Sequence, residues 1–433
     1  MKPVMRRQDC LRSAVILVCL TTVGWADVFN MPSGQTSLQT VFVGDAGNAA
    51  DTTERGAVGY NYRIGTYDVT NAQYAEFLNA KAATSDPYGL YNSNMGSDIE
   101  GGITQAGASG SYSFSVKSDY ANKPVVFVSW YDTIRFSNWL TNGQGSGDTE
   151  RGTYTITGGG VNSGTVVIPD AAQRAAWAAS GNLHWLLPSE SEWYKAAYYK
   201  GGSLSAGYWV YPFKSNTVPT TQAPPGDSNS ANYYDNTTTG FAVTHSVHFD
   251  GSQVYLTDVG AYTSARSPYG AFDMGGNAWQ WNEAIASVQS GTRQIRGGSW
   301  FNRSIYMNSD TPFGTFPVNE SSTFGFRVAS VDLTIGDMNG DGVANNFDIA
   351  TFEQALADSA AYLTQYPTLT NYPQRGDVNH DGVFDNFDIY PFEVLLATGH
   401  YPGAAVPEPG SFALLTIGGA GFLLWARRRK ASA

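Results

Sequence analysis

The chain has 433 residues and a formal net charge of −12, with 37 acidic residues against 25 Lys and Arg. Ten acidic residues lie between Asp337 and Glu393, where Arg375 is the sole basic residue, and the remaining basic clusters sit at the two ends of the chain. Because the mature globular part has no basic stripe, we expect no nucleic-acid partner. About 300 residues remain for one large domain core.

The N-terminal segment has the pattern of a secretory signal. Basic residues at Lys2, Arg6, Arg7 and Arg12 accompany an apolar run over residues 14–23, and the segment ends in Gly-Trp-Ala at position 26. This pattern predicts a signal peptide over residues 1–26. Both cysteines of the chain, Cys10 and Cys19, fall inside it. The mature protein is therefore predicted to contain no disulfide, thiolate metal site or cysteine nucleophile.

Residues 28–331 are predicted to form one globular domain. The segment lacks the regular alternation of strands and long helices that is typical of doubly wound or barrel folds. It instead carries short helices with capping-box starts, in which a Ser or Thr and a residue three positions later satisfy free backbone N–H groups. These pairs are Thr70 with Gln73, Ser129 with Asp132, and Ser189 with Glu192. Residues 141–169, rich in Gly, Ser and Thr, are predicted to form a surface insertion.

Six ordered motifs span this domain. They are YDVTNAQY at 67–74, PVVFVSWYD at 124–132, LPSESEW at 187–193, YGAFDMGGNAWQW at 269–281, RGGSWFN at 296–302 and GFR at 325–327. Together they resemble the formylglycine-generating, or sulfatase-modifying factor, family. The resemblance implies an α+β fold, C-type-lectin-like and loop-rich.

The resemblance also implies where the active site should lie. The family carries one cysteine two residues after the aromatic of its Gly-Gly-Ser-aromatic run, and a second five residues later; here these positions hold Asn302 and Met307. The family's copper ion is held by two thiolates, since soft sulfur ligands select Cu(I). We therefore expect neither copper nor formylglycine chemistry. Trp279 and Ser299 match residues that line the family's pocket, and we interpret them as structural.

Two sets of calcium ligands inside the domain are implied by the same resemblance. One set aligns with Asp273, Gly276, Ala278 and Gln280, and the other with Asn232 and Tyr233. Hard oxygen ligands of this kind suit calcium. Gln280 stands where the family has glutamate, so its loss of charge should lower the affinity. A turn without metal is an equally good interpretation of each set. His245 and His248 form an H-x-x-H pair, which alone is a weak metal signal.

The strongest local motif is a repeated twelve-residue loop. The side chains of Asp337, Asn339, Asp341 and Asp348 and the carbonyl of Val343 have the spacing of an EF-hand calcium loop, and the pattern recurs forty residues later with Asp377, Asn379, Asp381, Val383 and Asp388. Each loop runs into an apolar helical face, built on Phe352 and on Phe392. The pair, at residues 335–399, resembles a type I dockerin module. The resemblance implies an α-helical calcium module and a cohesin-like partner.

The C-terminal segment, residues 405–430, combines Pro-Glu-Pro at 407–409, an apolar run over 412–426 and four basic residues at 427–430. It resembles a PEP-CTERM sorting signal, which implies processing by an exosortase-type enzyme and export to a bacterial envelope. The alternative interpretation is a short transmembrane anchor that ends at the cytoplasmic face.

The sequence as a whole predicts an exported, envelope-associated protein whose family domain serves as a binding or structural scaffold for a glycan or peptide ligand. One alternative is a metal-dependent oxidase that kept the pocket and changed the metal. A second is a structural, adhesive protein of the extracellular matrix. The lost cysteine pair makes us favour a protein that is not an enzyme.

Overall fold

The computed structural model describes residues 36–180, 183–287, 289–331, 335–339, 344–367, 369, 372–379 and 383–398. The predicted signal peptide with both cysteines and the predicted sorting segment lie outside these residues. The described chain is a mixture of helices and short strands, and the predicted α+β class is confirmed. Among the described residues, no helix has both the length and the apolar character needed to cross a bilayer.

One antiparallel sheet closes the globular domain by joining its two ends. Its strand order is Thr40–Val43, Tyr62–Gly65, Ala329–Val331 and His184–Leu186. Ala329 pairs with Ile64 on one side and with Leu186 on the other, and all three side chains are fully buried. The first and last strands of the domain therefore share one core.

A second sheet carries the residues of the candidate site. Its order is Phe313–Thr315, Thr292–Arg296, Trp279–Ser287 and Phe324–Gly325. Trp279–Ser287 pairs antiparallel with Thr292–Arg296 and parallel with Phe324–Gly325. Three two-stranded hairpins complete the described strands: Ile103–Ala106 with Ser113–Val116, Thr155–Gly160 with Ser163–Val167, and Tyr234–Asp235 with Gly240–Phe241.

Three of the domain's helices begin where the capping boxes predict. The helices are Asn71–Lys81, Asn94–Ser97, Trp130–Thr141, Ala171–Ser180 and Glu190–Tyr198. Thr70, Ser129 and Ser189 each form both capping-box hydrogen bonds, so these predictions are confirmed. The helices pack around a core that includes the fully buried indoles Trp130, Trp139, Trp193 and Trp281.

The segment at 141–169 is only partly a surface insertion. It contains the hairpin Thr155–Gly160 with Ser163–Val167, whose outer residues are exposed. Tyr154, however, is fully buried and donates a hydrogen bond to the Glu283 carboxylate. The sequence prediction failed here because a single buried aromatic anchors a segment whose composition is otherwise that of a loop.

The repeat module has its own small core. Its helices are Ile349–Ala357, Ser359–Gln365, Tyr372–Gly376 and Ile389–Thr398, and the 3₁₀ turns Asn346–Asp348 and Asn386–Asp388 lead into the first and last of them. The rings of Phe352 and Phe392 stack at 4.1 Å with an interplanar angle of 3°. Ile349 lies three residues before Phe352, a spacing that predicts the same buried helix face, but it is 40% exposed and is not part of this core. It occupies the first position of its helix.

Candidate ligand site and calcium sites

Asn302 lies where the family would have its first cysteine, and two donors contact its side-chain oxygen. The amide oxygen accepts hydrogen bonds from Trp279 Nε1 and from Ser299 Oγ, each at 2.6 Å. Its backbone N–H donates to the Ser299 carbonyl at 3.0 Å, which folds 299–302 into a tight turn. An indole N–H can only donate, so the contact with Trp279 determines which end of the Asn302 amide is the oxygen. The three predicted residues are thus brought together as a closed polar group.

Met307 occupies the position of the second cysteine and is fully buried. It packs in a small apolar cluster with Tyr211, Phe213, Tyr233 and Tyr262. Its carbonyl accepts a hydrogen bond from Tyr198 at 3.0 Å, which fixes the end of the 3₁₀ turn Ser304–Met307. The thioether is therefore used in packing, and an amide and one thioether do not make the soft two-thiolate donor set that copper(I) requires.

Aromatic side chains surround this group and reach the surface. The Trp279 ring lies against Phe313 at 5.5 Å. Phe301 contacts Phe249 at 6.0 Å between ring centroids. Phe249, Phe301 and Phe313 are 55%, 51% and 43% exposed, and we call these three side chains the aromatic rim. Exposed aromatic groups clustered beside a polar group are typical of ligand surfaces.

A cavity of about 580 Å³ opens beside Asn302. The backbone N–H of Tyr234, which lines the cavity, donates to the Asn302 carbonyl at 3.0 Å. Hydroxyl groups dominate its lining, which includes Thr220, Thr221, Thr237, Thr238, Thr239 and Ser304. Sequence reasoning missed this cavity. The run of three threonines after Asp235 was the signal that could have drawn attention to it.

Asp235 shapes one wall of the cavity. Its carboxylate accepts hydrogen bonds from the hydroxyls of Thr237 and Thr238, both at 2.5 Å, and from the backbone N–H of Thr237 at 2.9 Å. Partial burial acts to raise the pKa of Asp235, but these hydrogen bonds outweigh it and hold the pKa well below its usual range. The carboxylate therefore stays ionised and fixes the turn. Arg303 is the one basic residue in the lining of the cavity.

The residues of the first calcium set inside the globular domain are engaged with one another. Gln280 is fully buried; its side-chain oxygen accepts from Trp193 Nε1 at 2.6 Å and from Arg327 Nε at 2.7 Å. Its Nε2 donates to the Asp273 carbonyl at 2.6 Å. The Asp273 carboxylate accepts from Gly260 N at 2.6 Å, and burial raises its pKa to about 6. A calcium ion does not fit this donor set, because the Gln280 oxygen is already taken by two donors.

The second calcium set is also held by internal contacts. The Asn232 amide nitrogen donates to the Tyr255 carbonyl at 2.8 Å, and the Asn232 carbonyl accepts from Asn277 N at 2.8 Å. Gly276, which has φ +80°, lies so close that an added Cβ would come within 2.4 Å of the Asn232 oxygen. The Tyr233 hydroxyl donates to the Pro219 carbonyl at 2.7 Å. Ala278, which belongs to the first set, is also buried, and its carbonyl is the one oxygen that it could offer to an ion.

The histidines do not assemble into a metal site within the described part of the chain. His245 and His248 are both exposed. His184 stacks on Trp177 at 3.8 Å. Among the described residues, no three or more His, Cys, Asp or Glu side chains are grouped so that they could hold a metal ion.

The last aspartate of each loop in the repeat module accepts hydrogen bonds from backbone N–H groups of its own loop. Asp348 and Asp388, at the last position of each loop, are fully buried. Asp348 accepts from Met338 N at 2.8 Å, Asn339 N at 2.9 Å and Asn345 N at 2.8 Å. The matching N–H groups of the second loop bond Asp388 at 2.8, 3.0 and 2.9 Å. Asp341, Val343 and Asp381 lie outside the described residues, whereas Asn379 and Val383 lie within them.

The carboxylates of the first loop fit a divalent cation. Burial raises the pKa of Asp348 to about 6, and the charge of the nearby Asp337, itself fully buried, also raises it. Two buried negative charges in one short loop are unfavourable unless a cation lies between them. Burial and the charge of Asp377 raise the pKa of Asp388 in the same way.

Arg375 is a feature of the module that sequence reasoning noted only as the lone basic residue. Its Nη1 donates to Asp337 Oδ2 at 2.8 Å and to the Asp337 carbonyl at 3.0 Å, and the guanidinium is fully buried. The residue forty positions earlier is Ile335. Asp337, at the first position of loop 1, is thus paired with the Arg375 guanidinium of the second repeat.

Comparisons with known proteins agree with this description. Residues 26–331 match the family described as sulfatase-modifying factor enzyme 1-like domain, residues 335–390 the dockerin type I domain, and residues 405–430 the PEP-CTERM protein-sorting motif. Dockerin type I domains bind calcium and cohesins, and PEP-CTERM signals are processed by exosortases.

Among solved structures, the chain is similar to Treponema denticola variable protein 1, with 18% identity, a TM-score of 0.38, and coverage of 70% of this chain and 98% of that one. It is also similar to CarF, with 20% identity, a TM-score of 0.39, and coverage of 68% and 98%. PvdO from Pseudomonas aeruginosa has 15% identity, a TM-score of 0.35, and coverage of 68% and 92%. Because its family match spans residues 26–331, more than half of the sequence, the chain belongs to the sulfatase-modifying factor enzyme 1-like family, and it carries a dockerin type I module and a sorting signal for export to the cell envelope.

Proposed function

We propose that the family domain is a binding domain that holds a glycan beside Asn302. We further propose that the calcium-bound dockerin module attaches the protein to a cohesin-like partner. In this proposal the sorting segment directs export and is processed by an exosortase-type enzyme. The two attachments would join a saccharide to an assembly at the cell surface.

The observation that carries the proposal is the closed group of Trp279, Ser299 and Asn302. The Asn302 side-chain oxygen accepts two hydrogen bonds at 2.6 Å, so it holds Trp279 and Ser299 together and offers no soft ligand. Met307 is removed into an apolar cluster. A domain that keeps the pocket and loses its redox ligands is suited to binding without cysteine oxidation.

The cavity favours a glycan over a peptide. The hydroxyls of Thr237, Thr238 and Thr239 already donate to Asp235, so their oxygens face a ligand as acceptors, which matches the hydroxyl donors of a saccharide. Tyr234 lines the cavity and contacts Phe241 at 4.4 Å between ring centroids, and Phe241 contacts Phe249 and Phe301 of the aromatic rim at 6.2 Å and 6.1 Å. These two exposed rings offer apolar faces for the C–H faces of sugar rings. An extended peptide would need a free strand edge, whereas the strands at the cavity, Tyr234–Asp235 and Gly240–Phe241, are two residues long. The volume of about 580 Å³ lies within the usual range for ligand sites.

The module offers two equivalent apolar surfaces for a partner. Phe347 and Phe387 occupy the same position in the two loops and are 81% and 77% exposed. Aromatic side chains are enriched at protein interfaces, so these two equivalent positions suit contact with a partner surface. Calcium would be held by Asp337, Asn339, Asp341, Val343 and Asp348 in the first loop, and by Asp377, Asn379, Asp381, Val383 and Asp388 in the second. The ion would supply the positive charge that these carboxylates share.

The oxidase alternative is tested with a sulfatase-type Cys-x-Pro-x-Arg peptide. We expect no conversion of its cysteine to formylglycine by the mature protein in the presence of copper or iron and oxygen, as followed by mass spectrometry and oxygen consumption. Any protein-dependent loss of the thiol to an aldehyde, or metal-dependent oxygen uptake, would overturn the binding proposal. Heat-unfolded protein with the same metal is the control.

The binding proposal is tested by retention on immobilised envelope polysaccharide. Ile305 lines the cavity and is 46% exposed, so Ile305→Asp should abolish retention without affecting the core. Val167→Asp is the matched control, since Val167 is 64% exposed on a distant hairpin. Equal retention of both variants would place the ligand elsewhere, and retention only on a peptide library would show that the ligand is a peptide.

A further inference from the structure

We infer that Gln280 replaces a calcium ion inside the globular domain. The neutral Gln280 amide bonds to its neighbours through both its oxygen and its nitrogen. A glutamate at this position would need a cation beside it. Asn232 and Tyr233 of the second set are also held by contacts within the chain. We therefore expect the family domain to be independent of calcium, although the module that follows it carries calcium loops.

The orientation of the Gln280 amide is determined by its neighbours. Trp193 Nε1 and Arg327 Nε lie 2.6 Å and 2.7 Å from the Gln280 oxygen, and both groups can only donate. The nitrogen must then face the other way, where it donates to the Asp273 carbonyl at 2.6 Å. The amide N–H therefore covers the Asp273 carbonyl oxygen.

Arg327 occupies the other end of the Gln280 amide. Its guanidinium is fully buried and is fixed by Asp68 at 3.0 Å, by the Gly65 carbonyl at 2.7 Å and by the Phe272 carbonyl at 2.7 Å. The Asp68 and Asp273 carboxylates lie near this positive charge and balance it, so the guanidinium excludes an ion by its contact with the Gln280 oxygen and not by the net charge of the position. The Gln280 oxygen is thus covered by a guanidinium, and the Asp273 carbonyl by an amide N–H.

A single substitution should reverse this arrangement. Gln280→Glu keeps the shape of the side chain and replaces the N–H by an oxygen. That oxygen would face the Asp273 carbonyl oxygen at a distance close to 2.6 Å, the present donor–acceptor separation. Two buried acceptors in contact, one of them charged, are destabilising unless a cation or proton joins them. Calcium should therefore stabilise the variant and leave the natural protein unchanged.

The test uses tryptophan fluorescence of the whole mature protein. The chain has 11 tryptophans; Trp25 and Trp425 lie in the terminal segments, the others lie between residues 130 and 300, and none lies in residues 335–399. Tryptophan emission in a thermal scan therefore reports the globular domain and ignores the calcium loops. Trp193, bonded to Gln280, makes the signal local as well.

We expect the same unfolding midpoint for the natural protein in calcium and in chelator. The midpoint of Gln280→Glu should fall in chelator, by on the order of 5 °C or more, and recover in calcium. Gln105→Glu, at an exposed strand position, is the control for the added charge and should show no calcium response. Calorimetry should find one additional ion per chain in Gln280→Glu.

The inference is overturned if the natural globular domain loses stability in chelator, because an ion would then still be bound there. It is also overturned if Gln280→Glu unfolds at the same temperature in both conditions. Should Gln280→Glu fail to fold in either condition, the comparison on the natural protein decides alone.

Discussion

The globular domain and the repeat module differ in the charge of the side-chain oxygens at their candidate ligand positions. In the globular domain, the neutral amide oxygens of Gln280 and Asn302 accept hydrogen bonds from indole, hydroxyl and guanidinium groups. In the module, Asp337 and Asp348 bring two carboxylates into one buried loop, where Arg375 donates to Asp337 and backbone N–H groups donate to Asp348. One region of the chain therefore carries neutral oxygens at these positions and the other carries clustered negative charge.

Chain length explains part of this difference. A domain of about 300 residues can recruit donors from distant segments, since it buries a large fraction of its surface. A module of about 60 residues has a small core and usually needs a metal, a disulfide or a partner. The module of this protein has no cysteine in its sequence, so calcium is the stabiliser that its residues can use.

The largest expected effect is the response of the module to calcium removal. We expect residues 333–401 to lose helical circular dichroism in chelator and to regain it in calcium, because the loop carboxylates repel one another without the ion and the Phe352–Phe392 stack depends on both loops. A fragment that is equally folded in both conditions would break the comparison.

A second prediction tests the buried thioether. Met307→Ala should lower the free energy of unfolding of the globular domain by about 2–5 kcal/mol, since it leaves a cavity in a packed cluster. Met307→Leu keeps most of the volume and should cost less than about 1.5 kcal/mol. Denaturant unfolding followed by tryptophan emission measures both. If Met307→Ala is as stable as Met307→Leu, the side chain does not act as a packing group.

The two loops should differ in affinity. Loop 2 offers Asp377, Asp381, Asp385 and Asp388, whereas loop 1 has Asn345 in place of a fourth aspartate. We expect loop 2 to bind calcium roughly tenfold more tightly, because ligand charge tunes the affinity of such loops. Calorimetry on Asp337→Ala and Asp377→Ala would separate the sites. If the tighter site survives Asp377→Ala and is lost in Asp337→Ala, the order of the loops is reversed.

The smallest expected effect concerns the bridge between the repeats. Arg375→Met should raise the calcium affinity of loop 1 severalfold, because Asp337 would no longer share its charge with a guanidinium. The same variant should be less stable in chelator, since a buried carboxylate is left without its cation. Arg375→Lys keeps the charge and is the matched control. An affinity of loop 1 that does not change in Arg375→Met would show that the bridge does not compete with calcium.

The sequence alone determined the features that depend on a few neighbouring residues. Capping boxes need only four residues, and all three helix starts were predicted from them. The repeated loop and the helix after each loop were likewise evident from spacing. The six motifs predicted the fold because they occur along the domain in the order in which the family has them.

The contacts that the candidate ligands make depend on the tertiary structure. Trp193 meets Gln280 across 87 residues of chain, Arg375 meets Asp337 across 38, and Trp279 meets Asn302 across 23. Residue type at one position does not reveal whether an oxygen faces an ion, a guanidinium or an indole, because that choice is made by packing between distant segments. The buried Tyr154, the exposed Ile349 and the hydroxyl-lined cavity beside Asn302 were hidden from the sequence for the same reason.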